Sequence, residues 1–182
     1  MPLPDPPPPT RTRLAHLARA EALLHLAGDA HMAGPAIERY LAVFRAAMNA
    51  NGATTLYSNL HVGYDWCGAF VYYCCLQAGF RFPPKPVPAY RWTLAAVPAW
   101  QHWASREGFY HPIAAASPQP GDIALYNHLY DDHPLDHIGI VVDVLADGIL
   151  SAEGNNANRT GLFPRPTSVI AGLVRLPTQR PL

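Results

Sequence analysis

Two residues of this chain have complementary chemistry: Cys67 in YDWCGAFVYYCCLQAGF and His137 in LDHIGIVVDVL. A thiol needs a base to become a good nucleophile, and an imidazole titrates near neutrality. If Asp65 or Trp66 stands at a helix cap, Cys67 falls in the first turn, where unpaired N–H groups and the positive end of the helix dipole favour a thiolate. Gly68 follows immediately and leaves space for a substrate, so Asp65, Trp66 and Gly68 are expected to line the substrate's approach. A cysteine without such a partner is usually a small buried hydrophobe. Cys74 fits that description: at ~100° per residue it returns almost to the azimuth of Cys67 but roughly two turns deeper, and is expected to be inert.

The imidazole needs a third group to fix its tautomer. His137 opens a segment in which Ile138, Ile140, Val142 and Val144 alternate onto one face, so it shares the other face with Gly139, Val141 and Asp143. The next segment, ILSAEGNNAN, puts Ser151, Glu153 and Asn155 on one face if the strand continues that far. Glu153 across a hairpin would hold Nδ1–H and leave Nε2 for the thiol. Asn155 could do this instead, or assist.

These residues must be positioned by an α+β chain in which helices precede strands. Residues 1–12 read as a Pro-rich arm, and 13–182 as one domain. Apolar spacing predicts a helix from Leu14 that stops near Gly28, a second opening at Pro35 and broken at Asn51-Gly52, and a third over Trp66–Ala78 ended by Gly79. Asp65 is the candidate N-cap of the third. The Trp-rich stretch of residues 82–120 holds a short helix limited by Pro98. Strands follow at Asp122–Tyr126, His137–Leu145, Ile149–Glu153 and Ile170–Leu176, the middle pair joined at Ala146-Asp147-Gly148 as a hairpin.

Composition narrows the function. Thirteen Lys+Arg balance thirteen Asp+Glu, so no net field gathers nucleic acid or anionic lipid, and neither is expected as a partner. The longest strictly apolar run, Ala69–Leu76, falls far short of the ~18 residues that cross a bilayer. The proline-rich start has no signal-peptide pattern. Three cysteines within nine residues form no disulfide framework. Twenty prolines imply many irregular connections.

Taken together, WCGAF with Val71 following, PQPGDIALY, DHIGIVVDV, ILSAEGNNAN and the closing IAGLVRL resemble, in order and spacing, the CHAP domains. These are cysteine- and histidine-dependent amidohydrolases and peptidases that cut bacterial peptidoglycan. The resemblance covers roughly residues 20–177. It implies a papain-like α+β fold, with the cysteine helix packed on a C-terminal antiparallel sheet. It also implies Cys67 as nucleophile, His137 as base, Glu153 as the orienting acid and Asn155 as an auxiliary fourth residue. Peptidoglycan is the implied substrate of a monomer that needs no cofactor. The NlpC-type peptidases look less similar, because their third residue is usually a second histidine where this chain has Glu153. Some phage members carry an acidic calcium loop before the cysteine. Here NLHVGYD offers only Asp65 and Asn59, so no metal is expected.

Four rival readings stand beside this one. DDHPLDH invites a metal site, but His133, Asp136 and His137 lack the helical spacing of a zincin, and Cys74 and Cys75 are adjacent instead of forming CxxC. The aromatic residues from Tyr90 to Tyr110 could stack on sugars, although near-helical spacing assigns them first to the core. A non-catalytic binding module, or an effector protease with a protein substrate, could use the same fold.

Overall fold

The computed structural model describes residues 10–178. Most of the expected arm lies outside these residues, but its last two are already helical. The Thr10 hydroxyl accepts a hydrogen bond from Arg13 N–H at 3.1 Å and starts α1, Arg11–Ala22. Helix α2, Glu38–Gly52, opens three residues later than Pro35, because residues 35–37 form a turn. Ala53 ends it in the left-handed conformation. Helix α3 is Cys67–Ala78, closed at Gly79, and α4 is Val97–Glu107. Pro98 sits in the first turn of α4, where a missing N–H costs nothing, so the proline starts the helix that it was expected to limit.

Six antiparallel strands follow: β1 Tyr110–Pro112, β2 Ile123–Tyr126, β3 His137–Leu145, β4 Gly148–Asn156, β5 Arg159–Pro166 and β6 Ile170–Val174. They form one sheet in the order β1-β6-β2-β3-β4-β5. The fold is α+β. Strand β5 was not read from the sequence, because Pro164 and Pro166 argue against a central strand. At the sheet edge, where it lies, a proline that cannot donate is tolerated.

Helix α3 is the centre of the molecule. It packs on α1 and α2 on one side and on β3 and β4 on the other, and nine of its twelve residues are buried. An amphipathic surface helix would show one apolar stripe. This one is apolar nearly all round, as a core helix must be. Each fully buried side chain such as Phe70 or Val71 contributes about 2 kcal/mol of apolar transfer. Trp66, just ahead of the helix, stacks on Tyr40 of α2 with ring planes 2° apart and centroids 5.6 Å apart. The Tyr40 hydroxyl donates to Glu21 Oε2 of α1 at 2.8 Å. The start of α3 is thereby fixed against both preceding helices.

The opposite sheet face carries a smaller cluster of Tyr126, Val141, Ile149, Ile170 and Leu173. Trp100 and Trp103 of α4 are core residues packed on Phe82. Trp92 instead lines a surface cleft, with the Arg91 guanidinium 3.9 Å from its ring centre.

Candidate active site

Cys67 is the first residue of α3, and among the described residues no side chain caps the helix. Asp65 is exposed and does not act as N-cap. Its Oδ1 accepts from Asn155 Nδ2 at 3.3 Å. The loop that delivers the chain to Cys67 is organised by Arg45 of α2. The Nη1 group of Arg45 donates to the carbonyls of Tyr57, Asn59 and Val62 at 3.1, 3.3 and 2.9 Å. Its Nε and Nη2 clasp Glu38 at 2.7 and 2.6 Å. A resident guanidinium thus gathers the loop carbonyls before the cysteine. Among the described residues, no group of three or more His, Cys, Asp or Glu side chains is arranged to hold a metal ion.

His137 is the first residue of β3. Its Nε2 meets Glu153 Oε2 at 3.1 Å, and the Cys67 side chain is its other interacting neighbour. The nitrogen left for the sulfur is therefore Nδ1, the reverse of the sequence expectation. The reason is the path of the carboxylate. Ile140 pairs with Ala152, so Glu153 sits one step further along, opposite Gly139 and diagonal to His137. Its side chain crosses β3 above Gly139 and arrives at the far ring nitrogen. A Cβ at Gly139 would lie 2.7 Å from Glu153 Cγ and 2.2 Å from Ser151 Oγ, so only glycine leaves that path open.

Glu153 is fully buried and shares a bidentate ion pair with Arg165 of β5, Nε to Oε1 at 2.8 Å and Nη2 to Oε2 at 2.5 Å. Asn156 Nδ2 adds a contact to Oε2 at 3.3 Å. Burial pushes the Glu153 carboxyl up, but the hydrogen bonds from Arg165 and His137 prevail and hold it below its ordinary value. Burial likewise opposes the charged form of His137. Its hydrogen bonds to Cys67 and Glu153 overcome that cost and raise the imidazole to about 9. Tyr126 stacks beside the ring at 6.1 Å, and Tyr130 meets it edge-on at 4.9 Å.

Cys67 and His137 are only 5% and 2% exposed, yet both border a cleft of about 960 Å³ together with Asp65, Trp92, Tyr130 and Asn155. The sulfur and the imidazole, seventy positions apart in the chain, meet at the wall of an open groove. Cys74 and Cys75 are fully buried, and desolvation drives both thiols up.

Three expected site residues take other roles. Trp66 is completely buried, and its Nε1 donates to Asn158 Oδ1 at 3.1 Å, so it supports the cleft from behind and does not face substrate. Gly68 is also enclosed. A Cβ there would lie 2.6 and 2.5 Å from the carbonyls of Leu94 and Ala95, so its smallness admits the 94–95 backbone and not a substrate. Asn155 faces the cleft and Asp65, not the imidazole. The β4–β5 register shifts between Glu153 and Asn156, and Asn155 has a φ of +62°. This bulge breaks the alternation and brings Asn156 to Glu153 instead. Arg165, Tyr130 and Asn156 were not singled out in the sequence.

A model of the CHAP domain family matches residues 59–155, more than half of the chain. The matched segment begins in the loop held by Arg45 and ends within β4, so it contains Cys67, His137 and Glu153 but not Arg165. No curated protein matches the chain, and no solved structure matches it.

Proposed function

The chain belongs to the CHAP domain family, and from that premise we propose that it hydrolyses an amide bond in bacterial peptidoglycan through a thioester on Cys67. The observation that carries this reading is the continuous polar chain from the Cys67 side chain through His137 and Glu153 to Arg165, ending at a cleft. An imidazole held at about 9 carries its proton at neutral pH, and an imidazolium beside sulfur is the partner that a nucleophilic thiolate requires.

The sulfur attacks the carbonyl carbon, and the oxygen takes the negative charge of a tetrahedral intermediate. The Cys67 backbone N–H, at the start of an uncapped helix, donates to that oxygen. The C–N bond then breaks, and the His137 proton passes to the departing amine. The neutral imidazole next removes a proton from water, which attacks the thioester and releases the acid with regeneration of the thiolate–imidazolium pair. Each positioned proton transfer contributes on the order of 10²- to 10⁴-fold. Glu153 keeps the ring oriented and supports its positive charge.

The target bond is either the link between muramic acid and the first alanine or a bond within the stem or cross-bridge peptides. Digestion of purified sacculi by wild type and Cys67→Ala, with mass spectrometry of the new termini, decides between them. A free alanine amine beside intact muramic acid identifies an amidase, and internal peptide termini identify an endopeptidase. Absence of wild-type release across several wall chemotypes would contradict the proposal and leave a binding role for the fold.

A further inference from the structure

Arg165 lies on the edge strand β5, outside the segment matched by the family model, yet its contacts with Glu153 are shorter than the one His137 makes with the same carboxylate. Its side chain is mostly buried. Strand register explains its aim: Glu153 pairs with Gly161 and Ile149 with Arg165, so Glu153 and Arg165 project from the same sheet face. The fork of the guanidinium takes both carboxylate oxygens, while Nη2 also donates to Tyr130 Oη at 2.9 Å. Tyr130 is 52% exposed and stands edge-on to the His137 ring, so this single residue ties the buried carboxylate to the cleft wall.

The groups around the carboxylate are few. His137 faces it from β3, Tyr126 from β2, Tyr130 from the following loop, Asn156 from β4 and Arg165 from β5. Only His137 and Arg165 can be cationic. A buried carboxylate with a single proton-sharing partner is prone to take up a proton itself. A permanent guanidinium removes that outcome, because arginine does not release its proton in proteins.

We propose that Arg165 is a positioning residue: its bidentate grip keeps Glu153 ionised and aimed at His137, and so sets the pH window in which the Cys67–His137 pair reacts. This rests on the reading of Cys67 as nucleophile given above. Sulfur, imidazolium, carboxylate and guanidinium would then alternate in charge, and removing the last cation leaves the remaining three net negative. Every proton in the chain is then held more tightly, so both limbs of a pH profile move to higher pH.

The test uses the full chain and iodoacetamide, whose methylene carbon is attacked by sulfur with loss of iodide. The rate of modification of Cys67 is followed by peptide mass spectrometry as a function of pH. Cys74 and Cys75, being fully buried, serve as internal controls. Arg165→Met is expected to move both limbs alkaline by about one pH unit, a roughly tenfold slower reaction on the acid side. Arg165→Lys, which keeps a charge but not the fork, is expected to move them less, in the same direction. In a Glu153→Gln background, Arg165→Met should add little, because the group it acts through is no longer ionisable. A folded Arg165→Met protein with a profile superimposable on wild type would overturn the proposal. If that variant does not fold, a superimposable Arg165→Lys profile overturns it equally. If wild-type Cys67 reacts no faster than a thiol of the unfolded chain at any pH, the nucleophile reading itself fails, and this inference falls with it.

Discussion

His137 is where the chemistry of the site is decided, because the strand start that exposes its ring to the sulfur also exposes it to Glu153 across Gly139. Replacing Glu153 by Gln removes the charge that holds the imidazolium, and kcat is expected to fall by about 10²-fold or more. Asn155→Ala is expected to act differently. Asn155 touches Asp65 on the cleft wall and not the imidazole, so its loss should raise KM and leave the pH profile in place. Steady-state kinetics on a soluble wall fragment separates the two, and equal losses of kcat would contradict the assignment. At this scale the sequence was informative about residue types and less so about directions. Cys67 and His137 could be picked out by residue type and spacing, whereas alternation left Glu153 and Asn155 as alternatives and the family resemblance favoured Glu153. The ring nitrogen that faces each partner could not, since it depends on the carboxylate crossing a glycine. The exchange of Asn155 for Asn156 was hidden for a related reason, because a bulge leaves no mark in simple alternation.

Elements were legible where one physical signal dominated. Strand β3 has the predicted bounds, His137–Leu145, because apolar alternation and β-branched residues agree there. Helix α3 was equally plain from its apolar run and the terminating Gly79. Strand β5 was invisible because its prolines are compatible with a strand only at an edge, and edge position is a property of the whole sheet. Missing β5 meant missing Arg165. The loop before Cys67 illustrates the same limit: Arg45 sits on α2 as an ordinary charged residue until the loop folds back over it. Arg45→Ala would leave three loop carbonyls without their donor and Glu38 without its partner. Arg45 is mostly buried, so the expected loss is about 3 kcal/mol of stability, measured by urea denaturation. The loop should open to proteolysis before the rest of the chain. Unchanged stability and unchanged cleavage would show that the loop is held by other contacts.

For the molecule as a whole, the charge chain of the proposed site also bears on folding. His137 titrates at about 9 in the folded state against an ordinary 6.5, so its imidazolium supports the fold fully below about 6.5, and that support is lost as pH rises through 9. Glu153 is held below its ordinary 4.5, so its support is present above that value and lost as pH falls through the lower, folded one. Stability from these two groups is therefore greatest between about 4.5 and 6.5. Unfolding free energy is expected to decline by on the order of 2 kcal/mol between mildly acidic and alkaline buffer, and His137→Gln should flatten that decline. An undiminished slope in that variant would place the titrating group elsewhere. The α+β order, helices before antiparallel strands, was legible from periodicity; the packing of the cysteine helix on the sheet was implied by the family resemblance, and its enclosure by α1 and α2 is seen in the structure. The make-up of the cleft was not legible, because its walls come from segments far apart in the chain, from Met32 to Asn158, that only folding brings together. Transfer of the acyl group to Cys67 is tested by denaturing mass spectrometry of the protein quenched in acid while it is incubated with soluble wall fragments. The expected result is a mass gain on the peptide containing Cys67, equal to the acyl part of the substrate and removable by hydroxylamine. Turnover with no adduct there, and undiminished in Cys67→Ala, would contradict it.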